Sequence, residues 1–537
     1  MADRLTTRPG WMSVVCLLGL AAILIHCVTA IPADYAAKRA ALIKAEKSLR
    51  TGGTGSSLSH DEQIVDKILM LEKRKLIEAT RMNGSNFAAR YNFLNMTARA
   101  DMEATRGFQI IKKMPKGGVL HVHDEAITSI DWLVSNVTYR DNCYMCVDSS
   151  DFRVNFHFYK SPPQDAACVW RLVSAFRGES GDAAAFDKTL HNNLSMVVAD
   201  PATAYPDLNT TWTRFLAYFA QVEGLVLYAP VFADYLWEGM LQFREDNVQY
   251  LEIRGLLPQV YELDGTVHDA DWVLNVYKQG VAHFVQQYPD FTGARFIKTS
   301  LRFKNSSDIL SDVKEAMRLY LQNPGFVVGF DLVGPENYLH PLIYYVDDLL
   351  YPSKQNPPVK LPYFFHAGET DWQGSAVDYN LVDALLLNTT RIGHGYALYK
   401  HPLLKDRIRK QGIAVEVNPI SNQVLKLVDD LRNHPAAALI AENFPLVISS
   451  DDPAVWGAAP LSHDFYVTFM TMIGEDAGLA TLKQLAINSL RYSAMQPMEI
   501  QKAVTQWKMK WDSFIQQVIR DFTSSDWGGE DRVTDEL

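Results

Sequence analysis

Between residues 326 and 396 the chain reads FVVGFDLVG (326–334), then YFFHAGE (363–369), then TRIGHGY (390–396). Each run is short, apolar and rich in β-branched or aromatic residues, and each carries a charged or imidazole side chain and a glycine towards its end. Helix-length stretches lie around them, at 311–322 and 376–387. Near-continuous apolar strands alternating with helices describe a parallel sheet covered on both faces. Working outward, the same signature recurs at 119–124, 248–254, 295–302, 413–421 and 446–452. Eight such units predict an α/β protein of the TIM-type (β/α)8 barrel class, with the chemistry at the C-terminal ends of the strands.

Those ends carry the reactive residues. In HVH (121–123) the period of two sends His121 and His123 to the same side of a strand. His366 ends the fifth run, and Glu369 follows past a glycine that lets the chain turn. His394 stands between Gly393 and Gly395, which permit close backbone approach. The eighth run ends SSDDP, with adjacent carboxylates Asp451 and Asp452. Each motif alone is weak, because strand-end histidines and Asp-Asp-Pro turns are common. Together they come from separate strands that one barrel mouth gathers. Three imidazoles, one carboxylate and an open position suit a single catalytic Zn2+. An all-oxygen Mg2+ or Ca2+ site does not fit this donor set.

The rest of the 537 residues sets the context. Hydrophobic residues make up 48% and charged residues 21%, which excludes wholesale disorder. The net charge is −11 and no basic run occurs, so nucleic acid is not an expected partner. Arg4 and Arg8 precede a short apolar core (14–28) that ends in Val28-Thr29-Ala30, which reads as a signal peptide over 1–30 cleaved after Ala30. Seven Asn-x-Ser/Thr sequons, at Asn83, Asn95, Asn136, Asn193, Asn209, Asn305 and Asn388, agree with an extracellular glycoprotein. Without the signal, three cysteines remain, and Cys168 is expected to pair with Cys143 or Cys146. They lie in an aromatic-rich segment, 136–190, that breaks the β/α rhythm and reads as an insert between strands 1 and 2. Helical periodicity over 36–50 and 61–82, broken by a Gly/Ser run, marks an N-terminal helical arm. The expected organisation is signal 1–30, arm 31–110, barrel 111–515 and tail 516–537. The terminal TDEL (534–537) lacks the lysine or histidine of a retention signal, so export is expected.

The segments MPKGGVLHVHDEA (114–126), YAPVFADY (228–235), GFDLVGPE (329–336), FFHAGETDWQG (364–374), NTTRIGHGYAL (388–398), PISNQVLKL (419–427) and VISSDDPAVWGA (447–458) carry a resemblance. In this order they resemble the secreted adenosine deaminases of the adenosine deaminase-related growth factor family, across roughly residues 60–515. Asn418 departs from the cysteine often found there in relatives.

The resemblance implies that His121, His123, His366 and Asp451 bind one zinc, which activates water for attack on purine C6. It implies that His394 holds and helps deprotonate that water, and that Glu369 protonates ring N1. Asp452 would bond N7, the Gly334 N–H would meet N3, Asp124 would take the 5′-hydroxyl, and Trp212 would cover the substrate. It favours Cys146 as the partner of Cys168, and it implies a homodimer built by the arm. The product would be inosine, or deoxyinosine from 2′-deoxyadenosine, placing the enzyme in purine metabolism. Growth-factor-like activity would then follow from adenosine depletion. Two other classes compete. A receptor ligand with vestigial catalysis, docking a cell-surface receptor or glycosaminoglycan through the insert, would lack a ligand or Glu369, and all are present. A binuclear barrel hydrolase commonly needs a lysine at the end of strand 4, where this chain has GFDLVG.

Overall fold

The computed structural model describes residues 33–53, 58–83, 92–147, 154–163 and 168–523. The expected signal peptide and the TDEL terminus lie outside the described residues. The chain divides into two units, Met1–Arg50 and Thr51–Leu537. The described part of the first is one helix, Ala33–Leu49.

The second unit is built on eight parallel strands. Strands β1 (Gly117–His123), β2 (Val248–Gly255), β3 (Gly293–Leu301) and β4 (Val327–Val333) pair in sequence order. Strands β5 (His366–Ala367), β6 (Arg391–His394), β7 (Ala414–Val417) and β8 (Leu446–Ile448) do the same. A parallel bridge between Phe330 and Tyr363 joins the halves, and another between Val122 and Asp451 closes the ring. This is a TIM-type barrel. Nearly every strand residue is buried, including all eight of β2, because helices cover the outside and side chains fill the lumen.

Three strands are shorter than their apolar runs suggest, each for a local reason. The fifth run turns after Ala367 at Gly368, whose φ is +76°. The seventh stops at Val417 because Pro419 has no N–H for a ladder and opens the helix Pro419–Val424. The eighth ends at Ile448, ahead of Asp451 at φ +59°.

The helix His60–Asn83 starts at a reciprocal cap: Glu62 N–H donates to Ser59 Oγ (3.3 Å), and Ser59 N–H donates to the Glu62 carboxylate (2.7 Å). It buries Val65, Ile68 and Leu69 and packs on the last helix, Pro497–Thr523. That last helix runs unbroken past residue 515, where the sequence suggested a boundary with the tail.

Within 136–190, Cys143–Val147 pairs antiparallel with Val154–Phe158 and with Arg171–Leu172. Cys146 is bonded to Cys168, and Cys143 is a buried free thiol. Of the sequon asparagines, Asn136, Asn209, Asn305 and Asn388 are exposed, and Asn95 and Asn193 are half-buried. The Asn83 side chain lies outside the described residues. No helix among the described residues is long and apolar enough to cross a membrane.

Candidate active site

Strand β1 presents His121 and His123 to one side, with Val122 fully buried between them. His366 at β5 and Asp451 just past β8 complete a group whose ligand atoms all lie within 4.8 Å of one another. His121 Nε2 is 3.0 Å from His366 Nε2, and Asp451 Oδ1 is 3.2 Å from His121 Nε2 and 3.1 Å from His123 Nε2. Behind the ring of ligands, His121 Nδ1 meets Glu416 (2.8 Å) and His366 Nδ1 meets Asp331 (2.7 Å). Burial raises both of these carboxyls, but Arg254 and Arg391 around Glu416, and His366 and Arg254 around Asp331, outweigh it and hold them below the usual range. Ionised acceptors keep the hydrogens of His121 and His366 on Nδ1, so their Nε2 lone pairs point at each other. Burial also brings the His366 imidazole down to about 4, which keeps it neutral. Two bare nitrogens 3.0 Å apart, beside a buried Asp451 Oδ1 that makes no hydrogen bond, are the donor set of a small divalent cation.

Close approach of β6 is what makes room. A Cβ on Gly393 would sit 3.0 Å from the His121 ring and 3.2 Å from His366 Cα. His394 follows at φ +60°, a left-handed conformation rare for a non-glycine residue and typical of functional sites. Its ring lies 5.0 Å from that of His121, its Nε2 is 3.7 Å from Asp451 Oδ2, and its Nδ1 is 3.5 Å from Glu369 Oε1.

Glu369 is buried and its carboxyl is raised well above the ordinary range by burial and by the charges of Asp451 and Glu336. Its loop is held by Glu336, which accepts from the Gly368 N–H (3.2 Å) and the Glu369 N–H (3.3 Å) and is itself fixed by Asn380 (2.8 Å). Asp452 is raised for similar reasons, burial first and Asp451 second, and its Oδ1 is buried without a partner. Asp124 accepts from the Tyr277 hydroxyl (2.8 Å). Gly334 adopts φ +111°.

A cavity of about 300 Å3 opens over this group. Asp124, Trp212, Gly334, Glu369, His394 and Asp452, all singled out from the sequence, line it. Trp212 belongs to the helix Leu208–Val226, which starts at an Asp207 cap and roofs the cavity with Phe215 and Phe219. Sequence reasoning missed Asp331 and Glu416, although GFDLVG was in view, and it missed Glu336. It also missed Glu125 and Glu223, which face the cavity without an ion pair among the described residues. Asn422 and His434, behind His394, complete the set. Chain spacing gives no hint of these positions, except that Asp331 and Glu336 sit at and just past a strand end.

The model for "Adenosine deaminase" matches residues 190–507, and that for "Adenosine/AMP deaminase N-terminal" matches 15–111. Adenosine deaminase 2-A of Danio rerio is 48% identical over 480 residues, covering 89% of this chain and 93% of that protein. Adenosine deaminase 2 of Homo sapiens is 42% identical over 516 residues, covering 96% and 99%. Among solved structures, an N6-methyl-AMP deaminase from Arabidopsis thaliana superposes with a TM-score of 0.51 at 18% identity, covering 75% of this chain and 98% of that one; this likeness concerns the fold. With the barrel, the metal-type donor set and these matches together, the chain belongs to the adenosine deaminase family, as a hydrolase of its growth-factor-related, adenosine deaminase 2-like branch.

Proposed function

We propose that the protein is a secreted zinc enzyme that converts adenosine, and 2′-deoxyadenosine, to inosine or deoxyinosine and ammonia. The observation that carries the reading is the meeting of the Asp451 carboxylate and three imidazoles, their ligand atoms within 4.8 Å of one another, at the floor of a cavity that also holds the buried Glu369, whose carboxyl burial raises. His121, His123, His366 and Asp451 would hold the ion, which when bound supplies Lewis acidity and activates water.

The chain's own groups do the rest. Glu369, kept protonated, gives a proton to N1 and makes C6 electrophilic. Asp452, also protonated, donates to N7, and the Gly334 N–H meets N3. His394 holds the attacking water on its face of the ring. Asp124 takes the 5′-hydroxyl, while Trp212 and its helix cover the nucleoside and exclude bulk solvent. Water adds at C6, one of its protons passes to the amino group and the other restores the Glu369 acid, and the C6–N bond breaks as ammonia leaves.

Export rests on the signal over residues 1–30 and on the sequons, with four of their asparagines exposed. Homodimerisation through the arm, and growth-factor-like activity through adenosine depletion, belong to the same reading. The insert is the surface offered to a cell-surface receptor or glycosaminoglycan.

The test is the exported protein assayed for inosine and ammonia, with metal analysis after purification without added metal. Turnover with one zinc per chain is expected. Two metals per chain, or no turnover by zinc-loaded protein, would defeat the assignment. An N-terminus at Ile31, a mass loss on deglycosylation and a dimeric mass by light scattering check the remaining parts.

A further inference from the structure

His394 ends a hydrogen-bonded row of three buried side chains. The Ala436 N–H donates to His434 Nδ1 (3.1 Å), His434 Nε2 lies 2.9 Å from Asn422 Oδ1, and Asn422 Nδ2 lies 3.0 Å from His394 Nδ1. His434 and His394 are each 2% exposed and Asn422 is 0% exposed, so no solvent competes for these atoms.

A backbone amide can only donate, and that settles the direction of the whole row. His434 Nδ1 must be the bare, accepting nitrogen, and its hydrogen therefore sits on Nε2. Burial brings this imidazole down to about 3, so it stays neutral and keeps that lone pair. Nε2–H donates to the Asn422 oxygen, which fixes the orientation of the carboxamide. The Asn422 NH2 then donates to His394 Nδ1, a closer partner at 3.0 Å than Glu369 Oε1 at 3.5 Å, and the His394 hydrogen is placed on Nε2. That nitrogen faces the metal-type quartet, 3.7 Å from Asp451 Oδ2. The Asn422 backbone is itself held, its N–H donating to Asn418 O (3.0 Å) in the helix Pro419–Val424.

We infer that Asn422 and His434 are positioning residues that lock His394 in its Nε2–H tautomer, so that His394 presents a hydrogen-bond donor, not a bare base, to the attacking oxygen. The role that the family resemblance implied for His394 is thereby divided: it aims the oxygen and does not take its proton. The inference rests on the deaminase reading for the identity of that oxygen, but the tautomer can be measured without turnover.

The experiment is a long-range 1H–15N spectrum of zinc-loaded protein carrying 15N-labelled histidine. The His394 signals are identified by their absence from H394Q. The expected spectrum shows a neutral ring with hydrogen on Nε2. In N422D the carboxylate accepts at both ends, so His394 should switch to hydrogen on Nδ1. Its kcat should fall by about tenfold to a hundredfold, the scale of one hydrogen bond to a charged group, with KM and metal content unchanged. H434L should lower kcat in the same way. H434Q, which can still donate to the Asn422 oxygen, should restore it. Hydrogen on Nδ1 in the wild type, or an unchanged tautomer in N422D, would overturn the inference. The wild-type spectrum decides even if a variant does not fold. Absence of adenosine turnover alongside the expected tautomer would instead count against the functional reading.

Discussion

The acid role proposed for Glu369 rests on surroundings that disfavour charge. Burial and the neighbouring Asp451 and Glu336 raise its carboxyl, which favours the protonated form that the proposed transfer to N1 requires. The active form therefore lies below the raised pKa. Turnover should decline as pH rises through that value, and a kcat profile should show the loss on the alkaline limb, with none near pH 4 assignable to this group. Glu369→Gln removes the transferable proton while keeping size and polarity. We expect kcat to drop about 10²- to 10⁴-fold with zinc content unchanged, as read by steady-state kinetics and metal analysis. Asp331 acts one layer back, through His366 Nδ1. Asp331→Asn should weaken zinc affinity about 10- to 100-fold, measured by competition with a chelator, because the ligand loses its orienting acceptor.

Elements set the height of the cavity. The roof helix Leu208–Val226 leans on the insert strand Val154–Phe158 so closely that a Cβ on Gly224 would lie 2.1 Å from the Phe156 carbonyl oxygen. The small disulfide-bearing sheet is thus a prop for the substrate cover as well as a surface. Its crosslink spans a sequence separation of 22, so losing it should release about 3 kcal/mol of loop-closure stabilisation. We expect the Cys146→Ser, Cys168→Ser double variant to exchange its insert amides faster and to show a raised KM for adenosine. Its kcat should be nearly unchanged, because the insert strand packs on the helix Leu208–Val226 and supplies none of the quartet. Hydrogen exchange alongside kinetics measures both effects. The strand ends show the same division of labour. Gly368, His394 and Asp451, at positive φ, end β5, β6 and β8 where a reactive side chain must turn inward.

At the scale of the whole molecule, the cavity lining is acidic rather than basic. Asp124, Glu125 and Glu223 line it, and burial raises the carboxyls of all three. Arg254, the one cation among its lining residues, is spent on Asp331 (2.8 Å), Glu416 (2.7 Å) and the carbonyls of Leu120 and Phe364. Among the lining residues no other lysine or arginine is left to pair with a phosphate, and a dianion set beside this many carboxyls without a side-chain partner should lose more than about a hundredfold in rate. We expect kcat/KM for adenosine 5′-monophosphate to fall at least that far below the value for adenosine, measured side by side at low ionic strength. Metal removal tests the same scale. The barrel's buried Arg–carboxylate network does not need the ion, so the apoprotein should stay folded with a lower Tm, regained by added zinc through binding linkage.

Much of this was legible in the chain itself. The β/α rhythm, the His-x-His on one face of a strand and the glycine-flanked His394 depend only on local periodicity and steric permission, which neighbouring residues dictate. The four members of the metal-type cluster could be brought together from the sequence because strand ends in a barrel converge by topology. Which carboxylates stand behind the histidines, which acids face the substrate and which way the hydrogens run along Ala436, His434, Asn422 and His394 depend on pairs up to 295 residues apart. Hydrogen-bond direction and charge compensation are properties of contact. Contact between distant segments exists only once the barrel has closed.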